Sequence, residues 1–126
     1  MIFTKTFASV IAAAALSTLS LSVMAQAVVV KCETRANRSR ASVDGNNLAS
    51  GNYTALLVSG AHSVQSTARA TKGDEVGFDF DSNPKDIRKG ATAIGADFIV
   101  GGTATGKILD AAGNVVIQRS AKCPSK

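Results

Sequence analysis

Residues 79–90 read DFDSNPKDIRKG, and the first half of this stretch sets oxygen-bearing side chains at alternate positions. Asp79, Asp81 and Asn83 stand where an EF-hand loop places its first ligands, with Asp86 close behind. The pattern then stops. The sixth place needs glycine for a sharp turn and holds Pro84, and the twelfth needs a bidentate glutamate and holds Gly90. An EF-hand is excluded, which leaves a looser calcium site, recruiting Glu75, Asp86 or Asp97 from loops, as an alternative. A plainer reading is favoured for the same residues. Asp79 and Asp81 fall opposite Phe78 and Phe80, on the solvent side of an alternating strand. Ser82 or Asn83 then caps a helical turn over 83–89, with Pro84 at its first position, Asp86 at its positive end, Ile87 packed inward and Gly90 ending it.

A second group is basic. Lys31, Arg35, Arg38 and Arg40 come together if residues 31–40 form two strands joined by a short turn, and such a patch suits an anionic partner. The alternative is cross-strand pairing with carboxylates such as Glu75 and Asp79. The patch has no interleaved aromatic residues, so a nucleic-acid platform is not expected. His62 is the only histidine, and it has no placed Ser, Cys or second His to make a triad or a zinc site. Asp79 with Asp97 or Asp110 gives a small hydrolase as a further, weaker alternative. The chain has no Trp and one Tyr, Tyr53, so no aromatic-walled pocket is suggested. No enzyme is expected. Nor is a cofactor, calcium at Asp79, Asp81, Asn83 and Asp86 being the alternative.

The elements that must carry these residues read as short strands. Val28, Val30 and Cys32 share one face of VVVKCETR, and Val115, Ile117, Ala121 and Cys123 share one face of NVVIQRSAKC. Both sulfurs thus point toward a common core, and a Cys32–Cys123 disulfide follows; in the chain-entropy model closing so long a loop stabilises the fold by about 4–5 kcal/mol. Ser39, Ala41 and Val43 alternate with Arg38, Arg40 and Ser42, and Val76, Phe78 and Phe80 alternate with Glu75, Asp79 and Asp81. Between His62 and Thr71, Val64, Ala68 and Ala70 line one side. TATGKILD and NVVIQRSAKC flank AAG as a hairpin. Strands this short, separated by Gly, Asn and Asp turns, predict an all-β, antiparallel two-sheet sandwich of the immunoglobulin-like or transthyretin-like kind.

Residues 1–25 have the form of an export signal: Lys5, an apolar middle and small residues before a cut at Gln26, or at Val28. Removing it leaves a single domain, 26–126, in a compartment where a disulfide persists, periplasmic or extracellular. No stable membrane insertion is expected after cleavage. The net charge is modest and mixed in sign, so it singles out neither nucleic acid nor membrane.

ASVDGNNLASGNYTALLVSG, DEVGFDFDSNPKDIRKGATAIGADFI and GKILDAAGNVVIQRSAKC together resemble small uncharacterised exported β-rich proteins of proteobacteria, over nearly the whole mature chain. GNYTALL and GKILDAAGNVV are loosely similar to immunoglobulin-like and carboxypeptidase-regulatory-type sandwiches. Neither likeness brings catalytic residues with it, and fold analogy does not transmit function. The expectation is an exported, non-catalytic binding or structural module whose partner is an unidentified protein or glycan. A calcium-dependent carbohydrate- or surface-binding module built on 79–86 is the alternative.

Overall fold

Alternation of apolar and polar side chains divides the chain into short strands, each with one face that must be covered. The computed structural model describes residues 25–126, so the expected leader falls, apart from Ala25, outside the described residues. The elements are β1 (Ala27–Arg35), β2 (Arg38–Asn46), β3 (Asn52–Ser59), β4 (His62–Gln65), β5 (Arg69–Ala70), β6 (Val76–Asp81), α1 (Pro84–Arg88), β7 (Thr92–Ala93), β8 (Thr103–Leu109) and β9 (Val115–Lys122). One sheet has the order β1-β2-β6-β7 and the other β4-β3-β8-β9, with β5 also paired to β3. The pairs are antiparallel except β6 with β7, which run parallel at Phe80–Thr92 and Asp81–Ala93.

This order is that of an immunoglobulin-like sandwich, with β1, β2 and β6 in the places of strands A, B and E, and β3, β8 and β9 in those of C, F and G. Antibody domains join B to F through the core with a disulfide. Here Val43 of β2 packs on Gly106 of β8 instead. A Cβ at Gly106 would lie 2.7 Å from Val43 Cγ2 and 2.8 Å from Val30 Cγ2, so only glycine lets the sheets approach this closely. Around this contact Phe80, Leu57, Ile108 and Val43 are fully buried.

The disulfide joins Cys32 of β1 to Cys123, just beyond β9, and so ties the edge of one sheet to the edge of the other, with a Cα–Cα distance of 4.7 Å. The last residues follow from it. Thr34 N–H donates to the Pro124 carbonyl at 3.0 Å and Lys126 N–H donates to the Thr34 carbonyl at 2.8 Å, so the tail runs along the outer edge of β1.

Some expected faces differ. His62 to Thr71 is not one strand: β4 ends at Gln65, Ser66 N–H donates to the Ala55 carbonyl, and Ala68 and Ala70 are exposed. Val115 is 49% exposed, because the β8–β9 register shifts between Ile108 and Leu109 and leaves Val116 and Ile117 against the core.

Gly106→Val is expected to lower stability by about 1–3 kcal/mol or more through overpacking, read as the midpoint of a urea titration. Replacing both cysteines by alanine should cost about 2–5 kcal/mol in the same titration.

Candidate functional site

On the outer face of the first sheet the strand registers set polar side chains in rows. Lys31 of β1 stands beside Ser42 of β2, and Ser42 beside Asp79 of β6. In the next row Arg40 stands between Glu33 and Asp81. Helix α1 closes one side of this face. Asn83 caps it, its side-chain oxygen accepting from Lys85 N–H at 2.9 Å, and Pro84 occupies its start.

The acidic stretch converges on a guanidinium. Arg38 Nε and Nη2 donate to the two oxygens of Asp81 at 3.0 and 2.7 Å, and Nη2 also donates to Asp86 Oδ2 at 2.9 Å. Asp81 further accepts from Asn83 N–H at 2.9 Å. This corrects two expectations. Asp81 is not on a solvated face: it is 4% exposed, beneath Arg38 and α1. Arg38 belongs to this buried cluster rather than to an anion-binding patch, and its partners are Asp81 and Asp86 rather than Glu75 and Asp79. Burial alone would raise the Asp81 carboxyl, but the hydrogen bonds from Arg38 and Asn83, with the charges of Arg38 and Arg40, hold it below the usual carboxylate range. The same bond to Asp81 raises Arg38.

The calcium ligands named from sequence are therefore arranged around a cation already supplied by the chain. Asp81 and Asp86 face Arg38, Asn83 caps α1, and Asp79 points to the open face away from them. Among the described residues no group of His, Cys, Asp or Glu is gathered for a metal ion.

Arg35 also leaves the patch, since its Nε donates to Glu33 Oε2 at 2.9 Å while Lys126 Nζ lies 3.3 Å from the other Glu33 oxygen. Burial raises the Glu33 carboxyl, and its bonds to Lys126 and Arg35 more than offset this, so it is held low. What remains is a cleft of about 490 Å³ whose rim carries Lys31, Arg40, Ser42, Asp79, Arg69 and Lys89. Glu33, Asp81 and Asp86 border the same cleft, but each is held by Arg35, Lys126 or Arg38, which lie outside it. Lys31, Arg40, Lys89 and Asp79 are exposed and make no side-chain hydrogen bond or ion pair among the described residues. The uncommitted charge of the cleft is thus positive, with Asp79 as its one free carboxylate among the described residues. At its far end Arg69 reaches across from β5 to donate to the Gly77 carbonyl at 3.1 Å.

Sequence reasoning named Lys31 and Arg40 but missed Lys89, Arg69 and Ser42. Lys89 was recoverable, because a capped turn over 83–89 folded back on β6 delivers its last residue to this face. Arg69 carried no such signal, its strand being paired with the other sheet.

Elsewhere, a more open hollow of about 470 Å³ holds His62, Ile94, Asp97 and Phe98. His62 Nδ1 lies 2.7 Å from the Phe98 carbonyl, which can only accept, so Nδ1 carries the hydrogen, and the two rings lie tilted by 33° with their centroids 5.5 Å apart. The carboxylates considered for a hydrolase are separated: Asp79 lines the first cleft, Asp97 the hollow, and Asp110 accepts from Ala112 and Asn114 N–H in the β8–β9 turn. No protein-family model and no curated protein matches the chain.

The titrations have opposite signs. Asp81, lowered in the fold, stabilises it above the unfolded value of about 3.9, and the contribution is lost as pH falls through the lower folded value. Asp44 is raised, by burial first and then by Asp79 and Glu75 against the opposing Lys31, so its contribution is present in acid and is lost as pH rises through its folded value. Asp81→Asn should therefore destabilise at pH 7, a difference that shrinks as the pH falls below about 3.9. Asp44→Asn should stabilise at pH 7, a difference that shrinks as the pH falls through the raised folded value of Asp44 and is gone by about pH 3.9, both read in denaturant titrations run across pH. Millimolar Ca²⁺ in place of EDTA should leave the thermal midpoint unchanged, where a site saturated 100-fold would add about 2.7 kcal/mol.

Proposed function

We propose that the protein is an exported, non-catalytic binding module that meets its partner, a protein or a glycan, with the outer face of its first sheet. One observation carries this reading: Lys31, Arg40, Lys89 and Asp79 share a single cleft and have no intramolecular partner among the described residues, while the carboxylates beside them are bound to Arg38, Arg35 and Lys126. Unpaired charges held at the rim of a rigid sheet give an interface its register and its rate of encounter. The surrounding β pairing keeps that rim in place without a ligand.

Export is supported by the form of residues 1–25 and by the disulfide, a bond that persists in oxidising compartments and is rare where thiols are kept reduced.

Two measurements test this reading. Intact mass of the protein recovered from the cell envelope or medium should give a chain beginning at Gln26 with both cysteines oxidised; a reduced chain retaining residues 1–25 would contradict export. A photo-crosslinking residue at Ser42, in the cleft, should give a product in living cells that is lost in Arg40→Ala, while the same group at Ser120, on the other sheet, gives none. Equal products at both positions would contradict the choice of surface.

A further inference from the structure

We infer that the ligand of this cleft is an acidic glycan, a chain of sugars bearing spaced carboxylate groups; the inference rests on the reading of the cleft as a binding surface. Its first ground is the spread of the free cations. Lys31 stands on β1, Arg40 on β2 and Lys89 at the end of α1, which follows β6, and with neighbouring strands about 4.8 Å apart the two outer strands that lead to them are roughly 10 Å apart across the sheet. A single phosphate or carboxylate held by one of these groups leaves the others unmatched. The ligand therefore carries more than one anionic group, set apart along a linear body that crosses the strands.

The second ground is Asp79. It lies among the cations, is exposed, and has no donor of its own among the described residues. A densely charged polyanion such as polyphosphate would be repelled there. A sugar chain instead offers hydroxyl donors between its acidic groups, and an ionised carboxylate accepts such hydrogen bonds and can only accept. Ser42, which the strand register sets directly between Lys31 and Asp79, can donate or accept. Anionic groups over Lys31, Arg40 and Lys89 with hydroxyls over Ser42 and Asp79 satisfy every free group on the rim.

The third ground concerns rings. Tyr53, Phe78, Phe80 and Phe98 are all buried and His62 lies in the other hollow, so no aromatic face is open in this cleft to stack on a base or on the flat side of a neutral sugar. Recognition by stacking is thereby removed, and single-stranded nucleic acid with it. What the cleft has to offer is charge and hydrogen bonds. Arg40 can engage a carboxylate through two parallel N–H donors, the strongest single contact available on this face.

The test uses the oxidised protein and three probes: tetragalacturonate, the uncharged maltotetraose, and tripolyphosphate. Binding is followed by amide NMR shifts at low salt and again at 0.3 M salt. Tetragalacturonate is expected to move the amides of Lys31, Arg40, Ser42, Asp79 and Lys89, and to bind about tenfold more weakly in Lys31→Ala and in Arg40→Ala. It should weaken at high salt, since exposed charges are screened beyond a few ångströms there. Lys122→Ala, away from the cleft, should leave it unchanged. Asp79→Asn is the discriminating variant: it should weaken tetragalacturonate and strengthen tripolyphosphate.

Maltotetraose binding as tightly as tetragalacturonate overturns the inference, because the ligand's charge would then not be read. Tripolyphosphate binding more tightly than tetragalacturonate, with Asp79→Asn strengthening both, overturns it in favour of a general polyanion site. Shifts from no probe overturn it as well. Each of these results leaves the cleft as a protein-binding surface to the crosslinking at Ser42, which fails separately.

Discussion

The contact between Arg38 and the carboxylates of Asp81 and Asp86 organises the candidate functional face of this protein. Asp81 ends β6 and Asp86 lies in the first turn of α1, so a guanidinium that holds both fixes the direction in which the chain leaves the sheet. A buried carboxylate with its charge uncompensated is costly, and a bidentate arginine with an added backbone N–H removes most of that cost. The geometry comes from the hairpin. Asn37 at φ 60 makes the two-residue turn that returns the chain as β2, and Arg38, its first residue, lands beside the end of β6.

Cleft and clamp are two sides of one charge arrangement. Because every carboxylate of the cleft except Asp79 is matched by a cation outside it, the cations inside have no ion-pair partner among the described residues, and the face is positive despite its many acids. The frame that carries it is held elsewhere. Val43 on Gly106 brings the sheets together at the centre, and the disulfide ties their edges on the β1 and β9 side. Arg119 adds a further constraint there: it is exposed on the open edge strand, in register with Gly106, and a charge in that position discourages another strand from pairing. The partner surface proposed above is the sheet face rather than this edge.

Period-two alternation made most of the strands legible from the residues alone, as in Val76, Phe78 and Phe80 or Ser39, Ala41 and Val43. The shared face of Cys32 with Val28 and Val30 was enough to pair it with Cys123, and Pro84 with Asn83 was enough for the capped turn. Alternation says which side a residue faces, however, and not what covers that side. Asp81 does lie on the outer side of β6, but α1 and Arg38 fold over it, and no local pattern announces a cover formed by residues forty positions apart. Val115 was misplaced by a bulge, which adds one residue and exchanges the faces beyond it. The site was half legible for the same reason: Lys31 and Arg40 follow from strand phase, whereas Lys89 and Arg69 depend on how separate elements are stacked.

The most direct measurement is a carboxyl-carbon NMR titration of Asp81 in the intact, oxidised protein. If Arg38 holds Asp81 as described, its midpoint falls below the ordinary aspartate value of about 3.9, and it moves up in Arg38→Met. A midpoint at or above that value, unmoved by Arg38→Met, would mean that the acidic stretch is not neutralised from within and that the cleft's free charge is not positive.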